Sequence, residues 1–345
     1  MRLRTSTVSV VLLFAANICA LAATTRDWEK FPAVIQRPAP TTLYALGDIH
    51  GDYLRLLRLL AAARIVANAP SQPGQIEWSA GSAMLVVTGD MIDKGPRPVD
   101  VLHLLMALRV LAHHEGGEVI LLAGNHEAEF LAGPDPGKAA DFIADLVKND
   151  YKPNQVAACH SDLGEFLCRL PFAAKVGDWF FSHAGNTDGR TLAQLNSDLH
   201  SGVSHSGFAS KQLVAPDSLL EARLGDGNTW FDSAPPGERV TVGYERQLLA
   251  AYAHAVGAQH IVQGHQHGEV RFADGVTRRA GEMFQRWGLL FLIDVGMSQG
   301  VGDSHGSVLR ITNGKAEAIC ANGATTVLWM PSTAVDVGRA PICNN

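Results

Sequence analysis

The sequence predicts an α/β fold that carries its chemistry on loops at strand ends. Short apolar runs alternate with helix-period patterns along most of the chain, as expected of strands covered by helices. Of the 345 residues, 47% are hydrophobic and 18% charged, which excludes a disordered or fibrous chain and leaves apolar surface for a sizeable core without covalent staples. Polar, glycine-bearing segments follow several of the apolar runs, where α/β sheets place their sites.

The first residues read as an export signal. Arg2 and Arg4 give a positive start, an apolar stretch covers 8–16, and the small residues Ala20, Ala22 and Ala23 close it. The stretch is too short to favour spanning a bilayer. Cleavage of residues 1–23 is therefore expected, with Cys19 discarded, no stable membrane insertion afterwards, and a secreted or periplasmic location. Loss of Arg2 and Arg4 leaves 26 Lys+Arg against 34 Asp+Glu, a formal charge of −8 in place of −6. So acidic a mature chain is a poor nucleic-acid binder. Cys159, Cys168, Cys320 and Cys343 remain, and in an oxidising compartment they suggest up to two disulfides with three pairings open. Cys320 with Cys343 is preferred because both lie in the C-terminal segment, which leaves Cys159 with Cys168.

After a proline-containing lead-in over 31–40, residues 42–46 read as a strand and 53–66 as an amphipathic helix. The alternation continues with a strand at 84–88, a helix at 99–113 and a strand at 119–123. Residues 134–164 read as helices and a connection, and 173–182 as a strand pair turning at Gly177 and Asp178. The segment 188–244 is rich in Gly, Ser and Pro, with helical patches at 192–199 and 219–224, and reads as an insertion over the site. A helix at 246–256, a strand at 260–263 and several strands over 289–329 complete one domain spanning 24–345.

Five segments carry the chemistry: Gly47-Asp48-Ile49-His50-Gly51-Asp52, Gly89-Asp90-Met91-Ile92-Asp93-Lys94-Gly95, Gly124-Asn125-His126-Glu127, His183-Ala184-Gly185 and Gly264-His265-Gln266-His267. Each follows an expected strand, so a common sheet arrangement would gather loops spread from residue 48 to residue 267. Carboxylates, an amide oxygen and imidazoles together suit manganese, iron or zinc.

In this order the segments resemble the motif set of the calcineurin-like metallophosphoesterase superfamily, above all its phosphoprotein-phosphatase branch. The Asn125-His126-Glu127 ending and the 91–96 stretch look most like the Shewanella-like phosphatases of bacterial type. The resemblance covers about 43–311. It implies a β-sandwich of two mixed sheets flanked by helices, with the metal site at strand-end loops. It also implies a hydrolase that cleaves phosphate esters with two divalent or trivalent ions, a metal-bound hydroxide being the nucleophile. Carried over by position, Asp48 and His50 would hold the first ion, Asp90 would bridge, and Asn125, His183 and His265 would hold the second. His267 is expected to reach the first ion, as in the wider superfamily, although phosphoprotein phosphatases often lack it. His126 resembles the general acid, with Asp93 orienting it. Asp52 and Glu127 read either as acceptors behind the ligands or as helix-start residues.

The chain departs from the branch at two positions. Lys94 stands where Arg is common after the second motif's Asp, and Ala123 where Arg is common before the third motif. The grip on phosphate is thereby reduced from forked guanidinium donors to a point charge. Arg223 in the insertion is the candidate replacement, and Trp230, Phe231 or Tyr244 could seat an aromatic ring. Asp303 and His305 lie on a glycine-rich loop expected at the rim.

The leading expectation is a phosphatase acting on phosphorylated protein side chains or small phosphoesters. A diadenosine tetraphosphate or other nucleotide hydrolase is the alternative, against which Glu127 weighs because those hydrolases usually carry Asp there. A non-catalytic metal-binding protein is opposed by the full ligand set together with His126 and Asp93.

Overall fold

The computed structural model describes residues 26–225, 230 and 240–343. The expected signal at 1–23 and Phe231 lie outside the described residues. Strands β1 (Val34–Arg37) and β2 (Thr42–Leu46) lead into helix α1 (Tyr53–Ala62), followed by β3 (Met84–Val87), α2 (Pro98–His114), β4 (Glu118–Leu121) and α3 (Asn125–Ala132). Then come β5 (Ala173–Val176), β6 (Trp179–Ser182), β7 (His260–Gln263) and the small pair β8 (Val270–Arg271) and β9 (Thr277–Arg278). The C-terminal part adds β10 (Met283–Arg286), β11 (Leu290–Leu292), β12 (Ser307–Thr312), β13 (Lys315–Cys320), β14 (Thr325–Trp329) and β15 (Val337–Ala340).

Two mixed sheets result, one ordered β14-β13-β12-β2-β3-β4 and the other β1-β5-β6-β7-β11-β10-β15. Between them lies a core to which Leu43, Ala45, Met84, Val86 and Ile120 contribute from one sheet and Phe181, Val262 and Phe291 from the other. The alternate residues Tyr44, Leu46, Leu85, Val87, Val119 and Leu121 pack with Leu56, Leu60, Leu102 and Leu105 of α1 and α2. Strands covered on both faces need apolar residues at every position, which explains the unbroken runs in the sequence.

Register fixes where the chemistry lands. In the first sheet β2, β3 and β4 run parallel with Leu46, Val87 and Leu121 level, so the loops bearing Asp48, Asp90 and Asn125 leave from one end. In the second sheet β6, β7 and β11 run parallel with Ser182, Gln263 and Leu292 level, and the loops bearing His183, His265 and Asp294 leave together.

The structure corrects several sequence expectations. The lead-in over 31–40 contains β1, which pairs in parallel with β5. The helix expected over 53–66 ends at Ala62, because Arg64 takes a left-handed backbone (φ 58°) that a continuing helix does not allow. The patch at 219–224 is a turn over 219–221 followed by irregular chain, not a helix. Its backbone bonds outward instead: Leu219 O accepts from Ala184 N, and Leu224 exchanges both its N–H and its C=O with the Gln266 side chain. The apolar spacing of Leu219, Leu220 and Leu224 reflects burial and not helicity. The helix expected from 246 starts earlier, at Val242–Ala255, where the Thr241 hydroxyl caps Tyr244 N at 3.2 Å. Both preferred disulfides are present, Cys159–Cys168 and Cys320–Cys343. Among the described residues no helix is long and apolar enough to cross a membrane.

Candidate metal centre

Strand-end loops bring the buried Asp48, His50, Asp90, His183 and His265 and the half-buried Asn125 into one cluster whose hydrogen bonds reveal its chemistry. His50 Nδ1 lies 3.2 Å from Ile92 O, His183 Nδ1 3.0 Å from Thr88 O, and His265 Nε2 3.1 Å from Glu221 O. A carbonyl only accepts, so each of these ring nitrogens carries the proton and the opposite nitrogen presents a lone pair. His183 Nε2 then faces Asn125 Oδ1 at 2.9 Å, His265 Nδ1 at 3.2 Å and Asp90 Oδ1 at 3.4 Å. His50 Nε2 faces Asp90 Oδ2 at 3.6 Å and Asp48 Oδ2 at 3.8 Å. Lone pairs converging from buried groups repel unless a cation joins them, and this donor set fits a metal at each of two poles. Asp90 turns Oδ1 to one pole and Oδ2 to the other. Its carboxylate therefore belongs to both candidate clusters, one with His50 and His126, the other with His183 and His265.

The electrostatics follow the same logic. Burial, overcoming the pull of Asp90, pushes His50 down to about 4 and keeps it neutral, as a ligand must be. Burial and the neighbouring His183 push His265 well below the usual range. Burial opposes charge on His183 too, yet Asp90 beside it outweighs that and raises it.

His126 differs from the three carbonyl-bound histidines. Its Nδ1 lies 3.4 Å from Asp93 Oδ2 and its Nε2 4.0 Å from Asp90 Oδ2. Burial would lower His126, but Asp90 and Asp93 raise it. Asp93 is itself anchored, with Oδ1 accepting from Asp141 N at 3.1 Å and Phe142 N at 3.4 Å.

Glu127 is fully buried and holds two motif loops together. Its carboxylate accepts from Asp90 N (2.9 Å), Met91 N (2.8 Å), Ile92 N (3.1 Å) and Gly124 N (2.7 Å). Asp52 is a helix-start residue, capping α1 through Arg55 N at 3.2 Å. Two glycines make room for the ligands: a Cβ on Gly124 would overlap Asp90 Oδ1, and one on Gly264 would overlap Asp48 Oδ1. His50, Asp90, Asp93, Lys94 and His265 all hold left-handed backbones, a conformation that costs about 1–2 kcal/mol per residue and gathers at functional sites.

Lys94 is exposed, and its charge acts on His50 and His126 at the first pole. Arg223 is exposed and acts on His265 at the second. His267 stands outside both clusters, its ring 43% exposed and Nδ1 3.8 Å from Asp294 Oδ2. Trp230 is buried, with Nε1 donating to Ala184 O at 3.2 Å, and offers no ring to a ligand. Tyr244 is half-buried. At the rim, Asp303 pairs with Arg55, whose guanidinium also reaches Met297 O. Sequence reasoning missed Arg278, a fully buried side chain that donates to the carbonyls of Gln266, Gly268, Glu282 and Asp294 and so joins two site loops. It also gave Asp294 no role. The signal was there, since Asp294 follows an apolar run much as Asp48 does.

Two sheets with a two-pole cluster of carboxylates and imidazoles at their strand ends define a metal-dependent phosphoesterase. The chain matches the calcineurin-like phosphoesterase family over residues 41–269 and belongs to it, within the phosphoprotein-phosphatase branch; it is a metal-dependent phosphatase of a family that uses a dinuclear site. It is 46% identical over 293 residues to "Uncharacterized protein C1840.07c" of Schizosaccharomyces pombe, covering 81% of this chain and 80% of that one. It is 25% identical over 287 residues to Shewanella-like protein phosphatase 1 of Plasmodium berghei, covering 80% and 73%. A cold-active protein-tyrosine phosphatase from a psychrophilic Shewanella species shares the fold, with a TM-score of 0.60 and 23% identity over 85% of this chain and 81% of that one.

Proposed function

We propose that this chain is an exported, two-metal phosphomonoesterase acting on phosphorylated protein side chains, phosphotyrosine among them. The observation that carries the reading is Asp90, whose two oxygens serve different poles beside the His126–Asp93 pair. Asp48, His50 and Asp90 would hold one ion, and Asp90, Asn125, His183 and His265 the other, with manganese, iron and zinc suited to these donors. When bound, the ions supply Lewis acidity toward phosphate oxygens and lower the pKa of water. The side chains do the rest. Asp93 orients His126 through Nδ1 and, with Asp90, favours the imidazolium, whose Nε2 proton would go to the leaving alcohol. Lys94 and Arg223, at opposite poles, place positive charge where a phosphate would sit.

The protein-substrate reading rests on the grip available. One phosphate needs the ions and a cation or two, whereas a polyphosphate would meet Lys94 and the buried Ala123 where the branch commonly has forked arginines. The relative named as a protein phosphatase supports the same reading. Export is supported by the N-terminal pattern and by two disulfides, which persist in oxidising compartments. In this reading residues 24–345 form one catalytic domain with 188–244 inserted over the site.

The test is a comparison of kcat/KM for a phosphotyrosine peptide, a phosphoserine peptide and diadenosine tetraphosphate on manganese-loaded protein. The peptides should be favoured. A tenfold preference for the dinucleotide, about 1.4 kcal/mol in transition-state binding, would overturn the substrate assignment.

A further inference from the structure

The two poles are unequally furnished. Asp90, Asn125, His183 and His265 surround one, while only Asp48, His50 and Asp90 have been assigned to the other. Beside that poorer pole lies Asp294, 1% exposed. Its placement follows from topology: β11 runs parallel to β7 with Leu292 level with Gln263, so Asp294 and His265, each two residues past its strand, leave the same end of the sheet. The chain passes so close to the first motif that a Cβ on Gly47 would come within 2.8 Å of Asp294 Cα. Asp294 Oδ1 accepts from Gly296 N at 2.8 Å. Oδ2 is buried and has no hydrogen-bond partner among the described residues. The nearest ring nitrogen, His267 Nδ1, stands 3.8 Å away, beyond hydrogen-bond reach. The guanidinium of Arg278 donates to the Asp294 backbone carbonyl and not to its carboxylate. Asp48, itself 5% exposed, lies beside it, so two buried carboxylates share this pole. A bare carboxylate oxygen in such a setting is costly unless a cation takes it up.

We propose that Asp294 is a further acidic residue of the first ion's site, its free Oδ2 serving that ion alongside Asp48. This rests on the two-ion reading above and extends it to a residue outside the five motifs. His267 then acts on the pole from outside, against Asp294.

The experiment uses chelator-stripped full-length protein titrated with Mn²⁺, followed by calorimetry and thermal unfolding. Wild type should take up two ions. Asp294→Asn keeps the Oδ1 acceptor for Gly296 and removes the charge. It should bind one ion at least tenfold more weakly and leave the other unchanged. In the stripped state the variant should unfold no lower than wild type, because one of two adjoining buried carboxylates is replaced by a neutral amide, whereas its gain in Tm on adding Mn²⁺ should shrink. A merely structural carboxylate would not produce that opposite pair of shifts. Asp294→Ser, which retains a small acceptor, repeats the test if the asparagine variant folds poorly. Two ions bound by the variants with wild-type affinities would overturn the role of Asp294 and leave the two-ion reading standing. One ion bound by wild type would overturn the two-ion reading itself, and Asp294 would then be judged on that ion's affinity.

Discussion

Glutamine in place of Glu127 would halve the contacts that hold the second and third motif loops together. Glu127 Oε1 accepts from Met91 N and Ile92 N, and Oε2 from Asp90 N and Gly124 N. In Glu127→Gln one oxygen becomes an NH₂ group that cannot accept, so two amide donors lose their partner in a fully buried place. Hydrogen bonds to a charged group contribute about 1.5–3 kcal/mol each, which puts the loss near 3–6 kcal/mol before any clash between facing N–H groups. Against a total stability of about 5–15 kcal/mol this is severe. Denaturant unfolding of chelator-stripped protein should show a lower midpoint, and metal content should fall because the Asp90 backbone is among the groups released. The opposing consideration is that burial, with Asp90 next, raises the pKa of Glu127. A protonated glutamic acid resembles glutamine, so a loss below about 1 kcal/mol with metal content intact would refute the view of Glu127 as a charged brace.

His126→Asn should slow alkyl phosphates far more than aryl phosphates, because good leaving groups need less protonation; equal losses with metal content intact would exclude the acid role. In chelator-stripped protein His126 should titrate above 6.5, since Asp90 and Asp93 outweigh the lowering effect of burial, and Asp93→Asn should bring its NMR midpoint down. A raised histidine favours the folded state fully below 6.5 and loses that contribution as pH rises through its folded value, so the stripped protein should weaken on the alkaline side. Protein recovered from the periplasm should show almost no reactive thiols, and replacing Cys320 and Cys343 by Ser, which opens a link across 23 positions, should cost about 2–4 kcal/mol; free thiols at all four cysteines would contradict export into an oxidising compartment.

The sequence carried much of this architecture because strands buried on both faces leave unbroken apolar runs. β2 and β7 end where the pattern says, at Leu46 and Gln263. Motif residues were legible for a related reason: each sits directly after such a run, beside a glycine. Elements stabilised by distant partners were not legible. β1 is a short edge strand whose mixed residues give little alternation, and the 219–224 patch looks helical only because its leucines are buried against other segments. Side-chain function faded with distance from the motifs. Arg278 resembles any other arginine until its carbonyl partners come together, and Asp294, although it follows an apolar run, gains its place only when the fold sets it against Gly47 of the first motif. Glu127 was open between two readings in the sequence; the structure makes it both, an early residue of α3 and the acceptor for two loops.

Metal content of Asp90→Asn tests the central claim most directly, because Asp90 is the residue on which two separate poles depend. Elemental analysis of the purified protein should find two ions per chain in wild type. In the variant it should find at most one, with phosphatase activity reduced at least a hundredfold, about 2.7 kcal/mol in transition-state stabilisation. Two ions retained at an undiminished rate would contradict the assignment of Asp90 as the group shared between them.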